Sequence, residues 1–330
     1  MGIFFRSLTT RNHNQKEGGF MLKKLGSIIE AQQFDEETLW DIFRIADEMQ
    51  EVDYDPILRG KIILSLFYEA STRTRFSFES AAKRLGAEVI STENARAFSS
   101  AFKGETLEDT ARVVSRYGHL IVLRYDKEGG AIRAQQFSRI PVINAGDGPG
   151  QHPTQALLDV YTMIKKFGKL EGLDIALVGD LLNGRTVRSL CYIIARHFPK
   201  NRIWLVSPSQ ARMRNDIKEF LTSHQVKWIE TDNLNEILKI ADVFYQTRVQ
   251  TERIEDQISL EMIQREAEQI YLNIDNVGEM KEDAIILHPL PRKNEIRFRV
   301  DNDPRAWYFE QSDNGVPVRM ALLKMMLIGY

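Results

Sequence analysis

The 330-residue sequence predicts an α/β fold made of two doubly wound parallel-sheet domains with the active site in the cleft between them. Three observations predict it. Single hydrophobic cores stop growing near ~250–300 residues, so a chain of this length favours two. From residue 60 onward, short β-branched runs alternate with amphipathic stretches of roughly 10–16 residues, the pattern of successive βαβ units. Clusters of hydroxyl, amide and guanidinium side chains follow directly after the apolar runs, where open parallel sheets bind ligands.

The first 20 residues stand apart. Arg6, Arg11 and Lys16 among Ser7, Thr9 and Thr10, closed by Gly18-Gly19, make a polar basic segment with one apolar patch, Ile3-Phe4-Phe5. The segment reads as a flexible extension ahead of a second possible start at Met21 and not as a transit peptide. Beyond it, the periodicity predicts strands over 62–67, 119–124, 141–144, 175–179, 203–206, 226–229, 243–246 and 284–287. Helices are predicted over 72–85, 106–117, 153–167, 186–197, 216–223, 235–241 and 260–266. The turn Phe167-Gly168-Lys169-Leu170-Glu171-Gly172 closes one helix before the next strand and is the expected hinge, dividing a first domain over 21–167 from a second over 168–308.

Bulk properties narrow the partners. With 44 basic against 46 acidic residues, the chain has no overall field to draw it to nucleic acid or an anionic membrane, so a small molecule is the expected partner. No apolar stretch approaches the ~20 residues that span a bilayer. The single cysteine, Cys191, lies in an apolar run and reads as a buried thiol in a reducing compartment, with a cytoplasmic location expected.

The chemistry sits at the strand ends. Ser71-Thr72-Arg73-Thr74-Arg75 opens the helix after the first strand, where free backbone N–H groups, hydroxyls and guanidinium groups suit a phosphate dianion; the same residues also read as an N-cap followed by solvated arginines. Arg124 ends the next strand, a position open to a ligand or simply to solvent. His152-Pro153-Thr154-Gln155 begins a helix with proline at its first position, so that His152 and Gln155 project from its start. His152 there is either a donor to a developing oxyanion or a helix cap. His288-Pro289-Leu290-Pro291-Arg292 holds extended backbone whose carbonyls stay free to accept from an –NH2 group, or is a rigid edge loop. Val178-Gly179-Asp180 with Gly184-Arg185-Thr186 forms a second anion turn without dinucleotide spacing. Arg185 and Arg248 could each grip one carboxylate of a dicarboxylic substrate, or be salt-bridged surface arginines.

Taken together these motifs resemble the aspartate/ornithine carbamoyltransferases: F-x-E-x-S-T-R-T-R at 67–75, S-S-x-x-K-G-E at 99–105, H-P-T-Q-A-L-L-D at 152–159 and H-P-L-P-R at 288–292. The likeness runs from about Met21 to the C-terminus, including Asn314-Gly315 and the run Arg319-Met320-Ala321-Leu322-Leu323.

The resemblance implies transfer of the carbamoyl group from carbamoyl phosphate to L-aspartate, the committed step of pyrimidine synthesis, without metal or cofactor. It implies that Ser71, Thr72, Arg73 and Thr74 hold the phosphate, and that Thr74, Arg124 and His152 hold the carbamoyl oxygen. Gln155 and the backbone carbonyls of Pro289 and Leu290 would hold the –NH2. Arg185, beside Thr186, would take the α-carboxylate, and Arg248 and Gln250 the β-carboxylate. Ser99 and Lys103 would reach into a neighbouring subunit's site, which makes a homotrimer the expected assembly, and a C-terminal helix over 309–330 would complete the first, carbamoyl-phosphate-binding domain.

The sequence departs from the family pattern at Leu182, Arg188 and Thr251, where lysine, histidine and a charged residue are usual. An ornithine-specific member would read H-P-C-Q and H-C-L-P; Thr154, Pro289 and the arginine pair argue against it. A catalytically silent relative acting only as a binding partner is the rival from another class, disfavoured because every assigned residue is present.

Overall fold

The computed structural model describes residues 23–95, 100–250 and 257–330; the N-terminal extension, Ser99 and Thr251 lie outside them. β1 (Ile62–Phe67), β2 (Glu88–Thr92), β3 (Leu120–Tyr125) and β4 (Val142–Asp147) form one sheet in the order β2-β1-β3-β4, with every pair parallel. β5 (Asp174–Val178), β6 (Arg202–Val206), β7 (Lys227–Thr231), β8 (Val243–Gln246) and β9 (Ile285–Leu287) form a second, also wholly parallel, in the order β7-β6-β5-β8-β9. The expected α/β architecture with two parallel sheets is therefore borne out. Strands are buried on both faces, as parallel sheets covered by helices require: β5, at the centre of the second sheet, is buried in all but Asp174, and β4, at the end of the first, is buried throughout.

The topology places the loops that matter. In the first sheet the chain leaves β1 on one side for β2 and returns on the other for β3, so the strand order reverses between β1 and β3. The second sheet reverses between β5 and β8. Loops leaving the carboxyl ends of strands on either side of such a reversal diverge and open a crevice.

The helices follow from local signals. Asp35 caps α1 (Glu36–Met49) by accepting from Thr38 N at 2.7 Å, and Glu36 and Glu37 complement the helix dipole. α2 (Thr72–Arg84) starts after Ser71, and Thr106 caps α3 (Leu107–Val114). After α4 (Gly130–Phe137), α5 (Pro153–Phe167) takes proline at its first position and ends on Gly168, whose φ of 72° is the left-handed cap expected of glycine. The second half adds α6 (Arg185–His197), α7 (Asn215–Ser223), α8 (Gln257–Glu268) and the short α9 (Ile274–Val277) and α10 (Tyr308–Asp313).

α11 (Gly315–Leu327) returns to the first half and packs on α1 and α2, burying Met320, Leu322, Leu323 and Met325 completely. Truncating Leu322 to alanine there should cost about 2–5 kcal/mol. α5 and α6 pack together beside the predicted hinge, and Cys191 of α6 is buried as expected, its thiol pushed up to about 12 by burial.

One expectation needs correction, and some elements were not foreseen. The helix expected over 235–241 is a 3-10 turn, Leu234–Glu236, followed by further turns; Ile237, Leu238 and Ala241 are buried all the same, so the apolar spacing was that of a packed turn. β2 escaped the strand pattern because it is a short edge strand, with Glu88, Ile90 and Ser91 exposed. α1 and α4 were not foreseen either.

Candidate active site

The loops at the two crevices meet in one cavity of about 620 Å³. Most of the described residues that the sequence singles out line it: Ser71, Thr72, Arg73 and Thr74 from the start of α2, Arg124 from β3, and His152 and Gln155 from the start of α5. The second half supplies Arg185 and Thr186, Arg248 and Gln250, and Pro289 and Leu290. Lys103 is exposed on the 3-10 turn Ser100–Lys103 and does not line this cavity.

Ser71 occupies the N-cap position of α2, yet its side chain makes no capping bond, so the hydroxyl is not consumed by the helix. Arg75 corrects the expectation of a cradle with two guanidinium groups. It is held by Glu93 at 2.9 Å and Glu79 at 3.6 Å and does not line the cavity. Residues two apart on a helix face in nearly opposite directions, so Arg73 and Arg75 cannot both serve one site.

Among the described lining residues five are arginines, Arg73, Arg124, Arg185, Arg248 and Arg319, and one is acidic, Glu69. Glu69 Oε2 accepts from Arg124 Nε and from Arg185 Nη1, each at 3.2 Å, so one carboxylate ties an arginine of the first sheet to one of the second half. Arg185 also donates to the Gly148 carbonyl at 3.0 Å. Burial pushes Arg124 down to about 9, helped by the nearby Arg185 charge and opposed by Glu69. Such a concentration of positive charge in a partly dehydrated cleft favours multiply charged anions.

His152 is 3% exposed, and its side chain makes no capping bond to α5, so the helix-cap reading fails. Its backbone N–H donates to Ser189 Oγ at 2.8 Å, while ring Nδ1 is buried without a hydrogen-bond partner. Burial, with the charges of Arg185, Arg124 and Arg319 nearby, drives its pKa well below the ordinary value, so the ring is neutral.

Gln155 is oriented from behind, its Nε2 donating to Asp159 at 2.8 Å. The Pro289–Leu290 segment is fixed through His288. Leu290 N–H donates to His288 Nδ1 at 2.7 Å, which leaves Nε2–H to donate to Glu295 at 2.9 Å. Leu290 itself stands at φ 54°, the left-handed region that a leucine seldom occupies.

In the second half, Gly179 stands at φ 117° where a Cβ would lie 2.3 Å from the Thr247 carbonyl oxygen, so only glycine lets β5 and β8 end this close together. Gln250 Nε2 is engaged by the Asn183 carbonyl at 3.1 Å and its N–H by Asp180 at 3.2 Å, so the amide must turn to meet a ligand. Arg188, a departure from the family pattern, bridges Asp216 at 2.7 Å and Glu128 of the first half at 3.5 Å. Glu69, Asp159 and Arg319 were not singled out in the sequence, although all three stand inside the quoted motifs.

Two parallel sheets whose strand ends converge on an arginine-rich cleft define a two-domain α/β enzyme for anionic substrates. Residues 27–165 match the family described as "Aspartate/ornithine carbamoyltransferase, carbamoyl-P binding domain", and residues 171–326 match its "Asp/Orn binding domain". The chain belongs to the aspartate/ornithine carbamoyltransferase family. It is 52% identical over 326 residues to the chloroplastic aspartate carbamoyltransferase of Arabidopsis thaliana, covering 97% of this chain and 83% of that one. It is 53% identical over 312 residues to chloroplastic aspartate carbamoyltransferase 1 of Pisum sativum, covering 93% and 80%. Among solved structures, aspartate transcarbamoylase from Trypanosoma cruzi in complex with N-(phosphonacetyl)-L-aspartic acid superposes with a TM-score of 0.87 at 35% identity, covering 93% of this chain and 97% of that one.

The plant relatives overturn the cytoplasmic expectation, since both are chloroplastic by name and point to a plastid. A near-neutral charge balance and one buried thiol are compatible with any reducing compartment, so they could not distinguish the two.

Proposed function

We propose that the chain transfers the carbamoyl group of carbamoyl phosphate to the amino group of L-aspartate, giving N-carbamoyl-L-aspartate and phosphate in pyrimidine synthesis. The observation that carries this reading is the set of five arginines lining the cavity, with Glu69 the one acidic residue among the described lining residues, a charge balance suited to a phosphate dianion beside a dicarboxylate.

Ser71, Thr72, Arg73 and Thr74 hold the phosphate at the α2 N-terminus, where backbone N–H groups and the helix dipole add to the side chains. Arg124, Thr74 and the neutral His152 face the carbamoyl oxygen, and Gln155 with the Pro289 and Leu290 carbonyls faces the –NH2. Arg185, next to Thr186, receives the α-carboxylate; Arg248 and a reoriented Gln250 receive the β-carboxylate. The aspartate amine attacks the carbamoyl carbon, and the C–N bond forms as electron density moves to the carbonyl oxygen. Return of that density breaks the C–O bond to phosphate, and the amine proton departs with the phosphate.

Ser99 and Lys103 complete the site from a neighbouring copy in a homotrimer. Lys103 is exposed and does not line the cavity of its own chain, which favours a role across a subunit boundary. The hinge of this reading is the turn at Phe167-Gly168, between a carbamoyl-phosphate-binding domain over 21–167, completed by residues 309–330, and an aspartate-binding domain over 168–308. Incubation with carbonyl-13C carbamoyl phosphate and L-aspartate tests the reaction. The label should appear in N-carbamoyl-L-aspartate, and label released only at the uncatalysed rate would reject it.

A further inference from the structure

Behind the amino-binding side of the cavity lies Asp159, one helical turn beyond Gln155 on α5 and completely buried. Its Oδ1 accepts from Gln155 Nε2 at 2.8 Å and from Gln311 Nε2 at 2.6 Å; its Oδ2 accepts from the Tyr245 hydroxyl at 2.8 Å. The three donors come from α5, α10 and β8, so the carboxylate joins both halves of the molecule. Burial raises its pKa to about 7, while the three donors and the nearby Arg319 charge oppose the rise.

A carboxylate only accepts hydrogen bonds, whereas a carboxamide has one donor end and one acceptor end. Each glutamine that turns its –NH2 toward Asp159 must therefore turn its carbonyl away. For Gln311 the consequence is visible, because its Oε1 accepts from the His288 backbone N–H at 2.7 Å. His288 in turn takes the Leu290 N–H, which leaves that segment with carbonyls and no free donor. For Gln155, which lines the cavity, the outward end is Oε1. Asp159 thus turns the acceptor end of Gln155 into the cavity and, through Gln311, holds the backbone of His288, whose ring Glu295 orients to take the Leu290 N–H.

We propose that Asp159 is a positioning residue that sets the hydrogen-bond polarity of this wall through Gln155 and Gln311, so that the cavity selects an acyl phosphate bearing –NH2 over one bearing methyl. The inference rests on the proposed function, because it is the carbamoyl –NH2 that the wall reads. Carbamoyl and acetyl phosphate have nearly the same shape and share the phosphate, so they isolate the contribution of the wall.

The test is Asp159→Asn, nearly isosteric but with a donor end that lets Gln155 turn its –NH2 into the cavity. Dissociation constants for carbamoyl phosphate, and inhibition constants for acetyl phosphate competing with it, are measured for both proteins at about pH 8, above the value of about 7 to which burial raises Asp159. Carbamoyl phosphate should weaken roughly 10- to 100-fold while acetyl phosphate changes by less than about threefold. Equal weakening of both would mean that the pocket had merely collapsed, and unchanged affinity for both would mean that the charge does not govern the wall; either overturns the inference. If Asp159→Asn does not fold, Gln311→Met removes one link of the chain and is held to the same selective pattern and the same two contrary results. A wild-type protein that does not use carbamoyl phosphate would overturn the proposed function as well, whereas one that does confines the failure to Asp159.

Discussion

Glu69 and Arg185 join the two halves of the molecule: the carboxylate just after β1 accepts from the first residue of α6 at 3.2 Å, while holding Arg124 at the same distance. The contact is partly buried, so it is stronger than a surface ion pair, and it keeps two like-charged guanidinium groups side by side. Glu69→Ala should loosen the approach of the second half and weaken aspartate use, lowering kcat/KM for aspartate roughly 10- to 100-fold while carbamoyl phosphate binding is kept. Steady-state kinetics beside calorimetric titration of carbamoyl phosphate separates the two; equal loss of both would give Glu69 a role in the phosphate half alone.

His152 is asked to donate a hydrogen bond, not to transfer a proton. His152→Ala should lower kcat roughly 10²- to 10³-fold, the range for losing one oxyanion donor. Stability carries a second signature. Because the folded-state pKa lies well below the ordinary 6.5, the unfolded chain binds a proton below that pH which the folded chain does not. The stability contribution of His152 is therefore intact above 6.5 and lost as pH falls beneath it. Urea unfolding at several pH values should show His152→Gln with a shallower acid decline, by about 1.4 kcal/mol per pH unit. An unchanged slope would mean that His152 protonates equally in both states.

Arg248 faces the cavity from the end of β8, in the half assigned to aspartate. Arg248→Ala should strand the β-carboxylate and reduce catalytic efficiency with aspartate by about 2–5 kcal/mol, with carbamoyl phosphate binding unaffected. Parallel loss of carbamoyl phosphate binding would reassign the residue to the phosphate.

A site shared between chains makes a prediction that no single-chain site can. Lys103→Ala and His152→Ala proteins should each be nearly inactive alone, yet mixed and reassembled oligomers should regain a substantial fraction of wild-type activity, since some interfaces combine both intact residues. Hybrids verified by charge separation that stay as inactive as their parents would mean that each chain owns its whole site.

Much of this was legible in the sequence because the relevant signals are local. Strand-end position, a proline at the start of α5 and a glycine at its end fixed where Arg124, His152 and Gln155 would emerge. Residues whose work depends on distant partners were not legible. Glu69 meets Arg185 across 116 positions and Asp159 meets Gln311 across 152, separations at which one sequence carries no pairing signal. Arg75 was misread because the stretch was treated as a cluster when helical rotation divides it between two faces. The turn at Leu234–Glu236 was mistaken for a helix because buried Leu234, Ile237, Leu238 and Ala241 have helical spacing, while the backbone closes mainly in successive three-residue turns from Ile237 to Leu234 and from Ile240 to Ile237.

The most direct test of the central claim is the rate of phosphate release from carbamoyl phosphate with L-aspartate and L-ornithine supplied separately. Two arginines opposite a dicarboxylate predict rapid release with aspartate, accompanied by N-carbamoyl-L-aspartate, and negligible release with ornithine, whose cationic side chain would face Arg248. Preferential release with ornithine would contradict the account.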